Sequence, residues 1–283
     1  MRIITWNIQW GRGADGRVEL GRTIATLHAM PEADVICLQE VAQRFHGLPG
    51  GNGEDEVAVL GAAFPAYEAV FGPGVDIPAT DGGRACFGNL ILSRCRVDQV
   101  FRHLLPCPPD PAQPSMQRGC VEAVVSAPWG PMRVLTTHLE YYSVHQRRAQ
   151  VAALRALQEE VAGHAVGGGG GGDANPAFGA RVRPVSAVLC GDFNCEPDSA
   201  EYALMAAPLA GEVPPWRDAW RVCHGDAAHA ASVGLHGAEW PDRVYCCDYL
   251  WVTGDLAARV RDVAVNAGTA ASDHQPVLLE LGE

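Results

Sequence analysis

Short apolar runs, several of them alternating with polar residues, recur along the chain and end on polar positions. Arg2–Asn7 reads as a buried strand, followed by a turn containing Gly11, Gly13 and Gly16. Val18, Leu20, Ile24 and Leu27 recur at roughly helical spacing, and Pro31 ends that helix. Ala33–Gln39 is a second apolar strand closed by Glu40, and Phe45–Asp55 is a glycine-rich loop. Phe87–Ser93, Gly119–Ser126 and Met132–His138 read as further strands. Ser143–Ala162 predicts the best helix, with Val144, Val151, Leu154, Leu157 and Val161 on one face. Val185–Cys190, Tyr245–Val252 and Pro276–Leu281 supply the late strands. Many strands with few helices predict layered sheets with helices packed outside.

The six glycines Gly167–Gly172 fall between the long helix and a buried strand. Those flanks predict a flexible loop over 167–176 within one domain rather than a domain linker, so 1–283 is expected to form a single catalytic domain. With 48% hydrophobic residues the chain has ample material for a core. No apolar run is long enough to span a membrane, and Met1–Asn7 reaches polar residues too soon for a signal peptide. A cytoplasmic protein without integral membrane association is expected.

The formal charge is -12, and all 21 basic residues are arginine. The lack of lysine excludes Schiff-base catalysis and a P-loop. The acidic balance weighs against sequence-independent binding to long nucleic acid. The ten cysteines look like a reduced set; Cys37, Cys86, Cys120 and Cys190 lie in apolar runs, and Cys246-Cys247 lacks the spacing of a zinc pair. Neither disulfides nor structural zinc is expected.

The polar residues that matter share one habit: each sits at the end of an apolar strand. Trp6-Asn7, Gln39-Glu40, Thr137-His138 and Gly191-Asp192-Phe193-Asn194 follow such runs, Asp248 leads one, and Ser272-Asp273-His274 precedes another. Rigid scaffolds present catalytic groups at strand ends. Taken singly, each is weak: an Asp or Asn after a strand is more often a turn former, an isolated Glu a surface or capping group, and a lone His a structural one. Together and in this order they point to one site.

With FGNLILSR (Phe87–Arg94), QRGCVEAVV (Gln117–Val125) and CDYLWV (Cys247–Val252), these motifs resemble the endonuclease/exonuclease/phosphatase superfamily, over nearly the whole chain. The superfamily includes deoxyribonuclease-I-like nucleases, sphingomyelinases, inositol-phosphate phosphatases and deadenylases. The resemblance implies an α/β four-layer sandwich: two mixed β-sheets packed face to face, flanked by helices. It also implies a phosphoester hydrolase dependent on Mg²⁺ or Mn²⁺.

The chemistry of the residues agrees. A phosphodiester anion repels hydroxide, and a hard cation held by oxygen ligands offsets that charge. The resemblance places Glu40 as the principal metal ligand, Asn7 beside it through its amide oxygen, and Asp273 near the same ion. Asp192 and Asn194, two apart, point to the same side of an extended backbone. Asp192 is expected to orient or deprotonate the attacking water, and Asn194 to hold the phosphate. Asp248 would fix the His274 tautomer and favour its imidazolium, which would stabilise charge on the phosphoryl oxygens. His138 would do similar work from the other side. Whether Asp192 or His274 is the general base stays open. Arg118 is expected to grip phosphate, with an outward, solvated strand arginine as the alternative, and Arg94 reads as structural.

Val41 follows Glu40, where the resembling abasic-site nucleases carry Thr-Lys. The LQEV and GDFNCEPDS spellings and the acidic charge favour a small phosphodiester or phosphomonoester, such as a phospholipid or sugar-phosphate head group. A DNA or RNA nuclease is the alternative, and a catalytically inactive binding module a lesser one. A glycosidase would need two carboxylates but not GDFN, SDH and a metal-binding Asn together. Tyr141 and Tyr142, just after His138, are expected to wall the substrate pocket, with packing on a neighbouring loop as the alternative.

Overall fold

The computed structural model describes residues 1–80, 82–166, 175, 177, 179, 181–241 and 243–282. The expected loop over 167–176 lies, apart from residue 175, outside the described residues. The strands in chain order are β1 (Arg2–Asn7), β2 (Val35–Gln43), β3 (Glu68–Pro78), β4 (Arg84–Ser93), β5 (Val97–Leu104) and β6 (Gly119–Ala127). They continue with β7 (Gly130–His138), β8 (Ala187–Asp192), β9 (Trp216–Asp218), β10 (Asp248–Thr253), β11 (Val260–Val265) and β12 (Val277–Leu281). The helices are α1 (Leu20–Ala29), α2 (Glu56–Ala63), α3 (Val144–Val166), α4 (Ala200–Ala206) and α5 (Ala219–His224).

Among the described residues the strands form two six-stranded sheets, ordered β11-β12-β1-β2-β4-β3 and β5-β6-β7-β8-β10-β9. Each sheet has one parallel pair at its centre, β1 with β2 and β7 with β8, and antiparallel pairs on both sides. This is the mixed-sheet sandwich expected from the motifs.

The continuous apolar runs follow from burial on both faces, because successive side chains in a strand point opposite ways. Ile3, Val35 and Cys37 enter the layer between the sheets, where they meet Val121, Val134, Val188 and Leu250. Their neighbours Ile4, Ile36 and Leu38 face outward, onto Leu20 and Leu27 of α1 and Leu60 of α2. The second sheet repeats the scheme: Leu135, Leu189 and Trp251 face Val151 and Leu154 of α3 and Met205 of α4. No helix of the described residues is long and apolar enough to cross a membrane.

Several elements depart from the sequence reading. β2 does not stop at Glu40 but runs to Gln43 through a register shift between Leu38 and Val41. Val144 opens α3 but is 44% exposed, and the buried face of that helix includes Gln146, Gln150 and Gln158. Those amides donate to the carbonyls of Pro108, Pro106 and Val185, tying the helix to loops in addition to its apolar seam of Val151 and Leu154. The edge strands β3, β5, β9 and β11, and the short helices α2, α4 and α5, are not expected from periodicity. β5 and β11 are half-exposed and mixed in polarity, so no clean pattern marks them.

One glycine is required by a close approach. Gly191 sits in β8 at φ 137, and a Cβ there would stand 1.8 Å from the Thr137 carbonyl oxygen of the paired strand. Gly191→Ala is therefore expected to destabilise the protein by about 3 kcal/mol or more, read as a lower urea midpoint. An unchanged midpoint would show that β7 and β8 are not so tightly joined.

Candidate active site

The two central parallel pairs carry the site on their C-terminal ends. Asn7 lies opposite Gln39 across β1 and β2, and His138 lies opposite Asp192 across β7 and β8. β10 brings Asp248 opposite Asp192 from the other side. Glu40 lies in the β2 bulge at φ 57, a left-handed conformation costly for a non-glycine residue.

The Asn7 amide spans the sheets. Its Nδ2 donates to Glu40 Oε1 at 3.0 Å and to Asp192 Oδ2 at 3.0 Å, while its Oδ1 accepts from the Gln9 backbone N at 3.1 Å. Its NH₂ thus faces Glu40, and its oxygen faces the Gln9 backbone. Asp273 Oδ2 accepts from Gln9 Nε2 at 2.7 Å, and Asp273 Oδ1 accepts from Ser272 Oγ at 3.1 Å.

On the other flank, Asp192 Oδ1 accepts from the Asn194 backbone N at 2.8 Å. Its Oδ2 lies 3.4 Å from His138 Nε2 and 3.6 Å from His274 Nε2. His274 Nδ1 bonds Asp248 Oδ2 at 2.9 Å, and that oxygen also accepts from Ser232 Oγ at 2.6 Å. Asn194 Nδ2 donates to the Leu139 carbonyl at 2.9 Å, which fixes the amide orientation. The same nitrogen lies 2.9 Å from His138 Nε2, so that ring nitrogen accepts.

The two histidines consequently differ. Burial opposes charge on His274, but Asp248, Asp192 and Asp273 outweigh it and hold the ring well above the usual histidine range. Burial, with the nearby Arg118 charge, pushes His138 down to about 3, so the ring is neutral at pH 7. The ring bonded to the Asn194 amide is thus uncharged where His274 is cationic. Asp192 is raised by burial but held below the usual carboxylate range by the charged His274 and by hydrogen bonds from the Asn194 backbone and Asn7.

Arg118 is only 6% exposed, so the alternative of a solvated strand arginine does not hold. Its Nε bonds Glu140 Oε2 at 3.2 Å, and its Nη1, although buried, has no hydrogen-bond partner among the described residues. Arg94 pairs with Glu32 and Asp34, away from the site. Tyr141 and Tyr142, stacked edge-on at 4.8 Å, line the cavity above the site.

Sequence reasoning missed Gln9, Ser232, Glu140 and Glu56. Glu140 was within reach, two residues past His138; Ser232 lies in a loop whose local sequence carries no signal. Glu56 Oε2 accepts from the Ala42 backbone N at 2.8 Å, just beyond the Glu40 bulge.

The donor set suits a hard divalent cation. Burial, then the neighbouring Asp273 charge, lifts Glu40 to about 7, and burial also raises Asp273. These are crowded carboxylates that a cation would relieve. Among the described residues, neither group of three His, Cys or carboxylate ligands that closes within 4.8 Å includes Glu40 or Asp273. A pair of carboxylates suits an ion such as Mg²⁺ that keeps several waters.

Two mixed sheets face to face, with carboxylates, histidines and an arginine gathered on one rim, define the deoxyribonuclease-I-like fold. The chain belongs to the Endonuclease/Exonuclease/phosphatase family, whose model matches residues 4–274. Members of that family hydrolyse phosphoester bonds and generally depend on a divalent metal. A solved endonuclease/exonuclease/phosphatase from Beutenbergia cavernae is 25% identical with a TM-score of 0.69, over 100% of this chain and 72% of its own. Two further structures share the fold over 100% of both chains. One is a mannosyl-6-phosphatase of Bacteroides thetaiotaomicron, 15% identical with a TM-score of 0.65. The other is a 3' phosphatase of Neisseria bound to a product DNA hairpin, 20% identical with a TM-score of 0.62. No curated protein matches the chain.

Glu40 gives a stability test. Its proton is held in the folded state up to about pH 7 but released near the ordinary value of 4.5 when unfolded. Its contribution therefore falls as pH rises through that window and is least favourable above it. Without divalent ions, Glu40→Gln is expected to raise the melting temperature at pH 8. Mg²⁺ is expected to stabilise the unmodified protein more at pH 8 than at pH 5.5, and Glu40→Gln to abolish most of that gain. Equal Mg²⁺ stabilisation at both pH values would remove Glu40 from the metal site.

Proposed function

We propose that the chain, as one catalytic unit over 1–283, is a Mg²⁺- or Mn²⁺-dependent hydrolase of a small phosphodiester or phosphomonoester. The observation that carries this is Asp192, tied to the first sheet by Asn7 and facing both histidines. Glu40 and Asp273 would hold the metal, which when bound offsets phosphate charge and lowers the pKa of bound water.

Asp192, kept ionised, accepts a hydrogen bond from the attacking water and directs its lone pair toward phosphorus. The Asp248–His274 pair holds a positive ring beside it, placed to stabilise the charge growing on the phosphoryl oxygens. Ser232 keeps Asp248 oriented, so the charged ring holds its Nδ1–H on Asp248 and turns its Nε2–H toward the reacting centre. His138 and Asn194 act as a neutral pair that positions an oxygen without adding charge. Arg118, anchored by Glu140 through one edge, offers its free Nη1 to a phosphate oxygen.

A small substrate is favoured over a polymer by the cavity, about 320 Å³, at the lower end of small-molecule sites. The net charge of -12 supports the same choice. Tyr141 and Tyr142 form one wall of it.

Hydrolysis of bis-p-nitrophenyl phosphate and p-nitrophenyl phosphate, with Mg²⁺, Mn²⁺ or EDTA, tests the proposal. Turnover is expected to vanish in EDTA and to fall at least ~100-fold in kcat for Asp192→Asn and for His274→Ala. Full turnover by folded Asp192→Asn protein, or in EDTA, would overturn it. Replacing both tyrosines by Ala is expected to change the relative rates on the two substrates; an unaltered ratio would remove them from the pocket wall.

A further inference from the structure

One wall of the cavity has no task in the hydrolytic scheme. Opposite the polar floor of Arg118, Asp192 and His274, the same cavity is lined by Trp10, Phe45, Leu48, Val75, Phe87 and Met116. These six side chains also pack on one another, as a small cluster apart from the three main cores.

The wall is built into the first sheet. Ala42, Phe87 and Val75 stand opposite one another across β2, β4 and β3, just beyond the bulge that carries Glu40. Trp10 lies in a tight turn where Gln9 and Trp10 hold φ at 46 and 44, so the backbone accepts strain to set the ring here. The indole Nε1 donates to the Pro49 carbonyl at 3.1 Å. It is the wall's one strong hydrogen-bond donor, and it is already taken. Phe87 meets Trp10 at 6.3 Å and Phe45 at 6.0 Å, which fixes the three rings as one surface.

A sugar hydroxyl or a base edge placed against these side chains would lose its water and find no free donor among them, at a cost of about 1–3 kcal/mol for each unpaired polar group. An alkyl or phenyl group would lose nothing. We propose that the wall is a subsite for an apolar group, alkyl or phenyl, on the alcohol of the phosphoester. The proposal rests on reading the polar floor as a phosphoester site, and it assigns Phe87, Leu48 and Met116 to specificity.

Affinity for phosphonates tests the wall without requiring turnover. Methyl-, butyl-, hexyl-, octyl- and phenylphosphonate, with a polyhydroxylated six-carbon phosphonate, would be titrated calorimetrically in the presence of Mg²⁺. Affinity is expected to rise up to about fourfold per methylene until the wall is covered. Hexyl- or phenylphosphonate should bind well above the hydroxylated compound, and their order tells alkyl from phenyl. Phe87→Ala and Leu48→Ser are expected to flatten the slope; Leu48 lies in a loop, so its variant remains informative should the strand variant fail to fold.

A flat series, or equal affinity for the hydroxylated compound, would overturn the subsite. Turnover of p-nitrophenyl phosphate by the same preparation reports on the floor separately. Turnover with a flat series discards the wall alone, and a steep series without turnover discards the hydrolase and keeps the wall.

Discussion

The Asn7 amide is the point on which the rest of the site depends. Two sheets packed through aliphatic side chains are held mainly by non-directional contact, which sets their separation but not the alignment of groups on their rims. Asn7 supplies that direction: one NH₂ donates to Glu40 in its own sheet and to Asp192 in the other. Its oxygen is meanwhile held by the Gln9 N–H. Gln39, its neighbour across the strand pair, makes a second bridge, donating to Thr5 Oγ1 at 3.1 Å and to Thr136 Oγ1 at 2.8 Å. Sliding the sheets would break both the Asn7–Asp192 and the Gln39–Thr136 bonds in the interior, where water cannot readily replace them.

Around this bridge the charges are divided rather than balanced pair by pair. Asp192, Asp248 and Asp273 surround His274 and keep it protonated, whereas His138 lies against Arg118 and stays neutral. Glu40 is left with no cation of its own nearer than His138, 3.7 Å away and uncharged. The rim therefore combines one fixed positive ring with a carboxylate pocket short of positive charge. Buried carboxylates in that position are costly unless a cation joins them.

The same geometry explains how polar chemistry and apolar packing coexist within one cavity. The bulge at Glu40 turns its carboxylate toward the second sheet while Ala42, two residues on, continues the first sheet into the aromatic wall. Glu56, bonded to the Ala42 N–H, holds the backbone where this change of direction occurs. Burial lifts its carboxyl to about 8, so it stays protonated and adds little negative charge beside Glu40 at neutral pH.

The sequence alone determined the layered α/β architecture and most of the central strands. Strands buried on both faces carry unbroken apolar runs, and strand ends carry the polar exceptions. Asn7, Glu40, His138, Asp192, Asn194, Asp248, Asp273 and His274 were legible for that reason, and the tertiary fold does bring them to one rim. The half-exposed edge strands β5 and β11 were not, because mixed polarity leaves no period to read. Only the tertiary structure decided that Glu40 sits in a bulge, that Asn7 presents its NH₂, and that one histidine is charged and the other neutral. Those properties depend on burial and on partners as distant in the chain as Asn7 and Asp192, which local pattern does not encode. The apolar wall is of the same kind: its residues come from five separate stretches of chain and become one surface only when the sheets close.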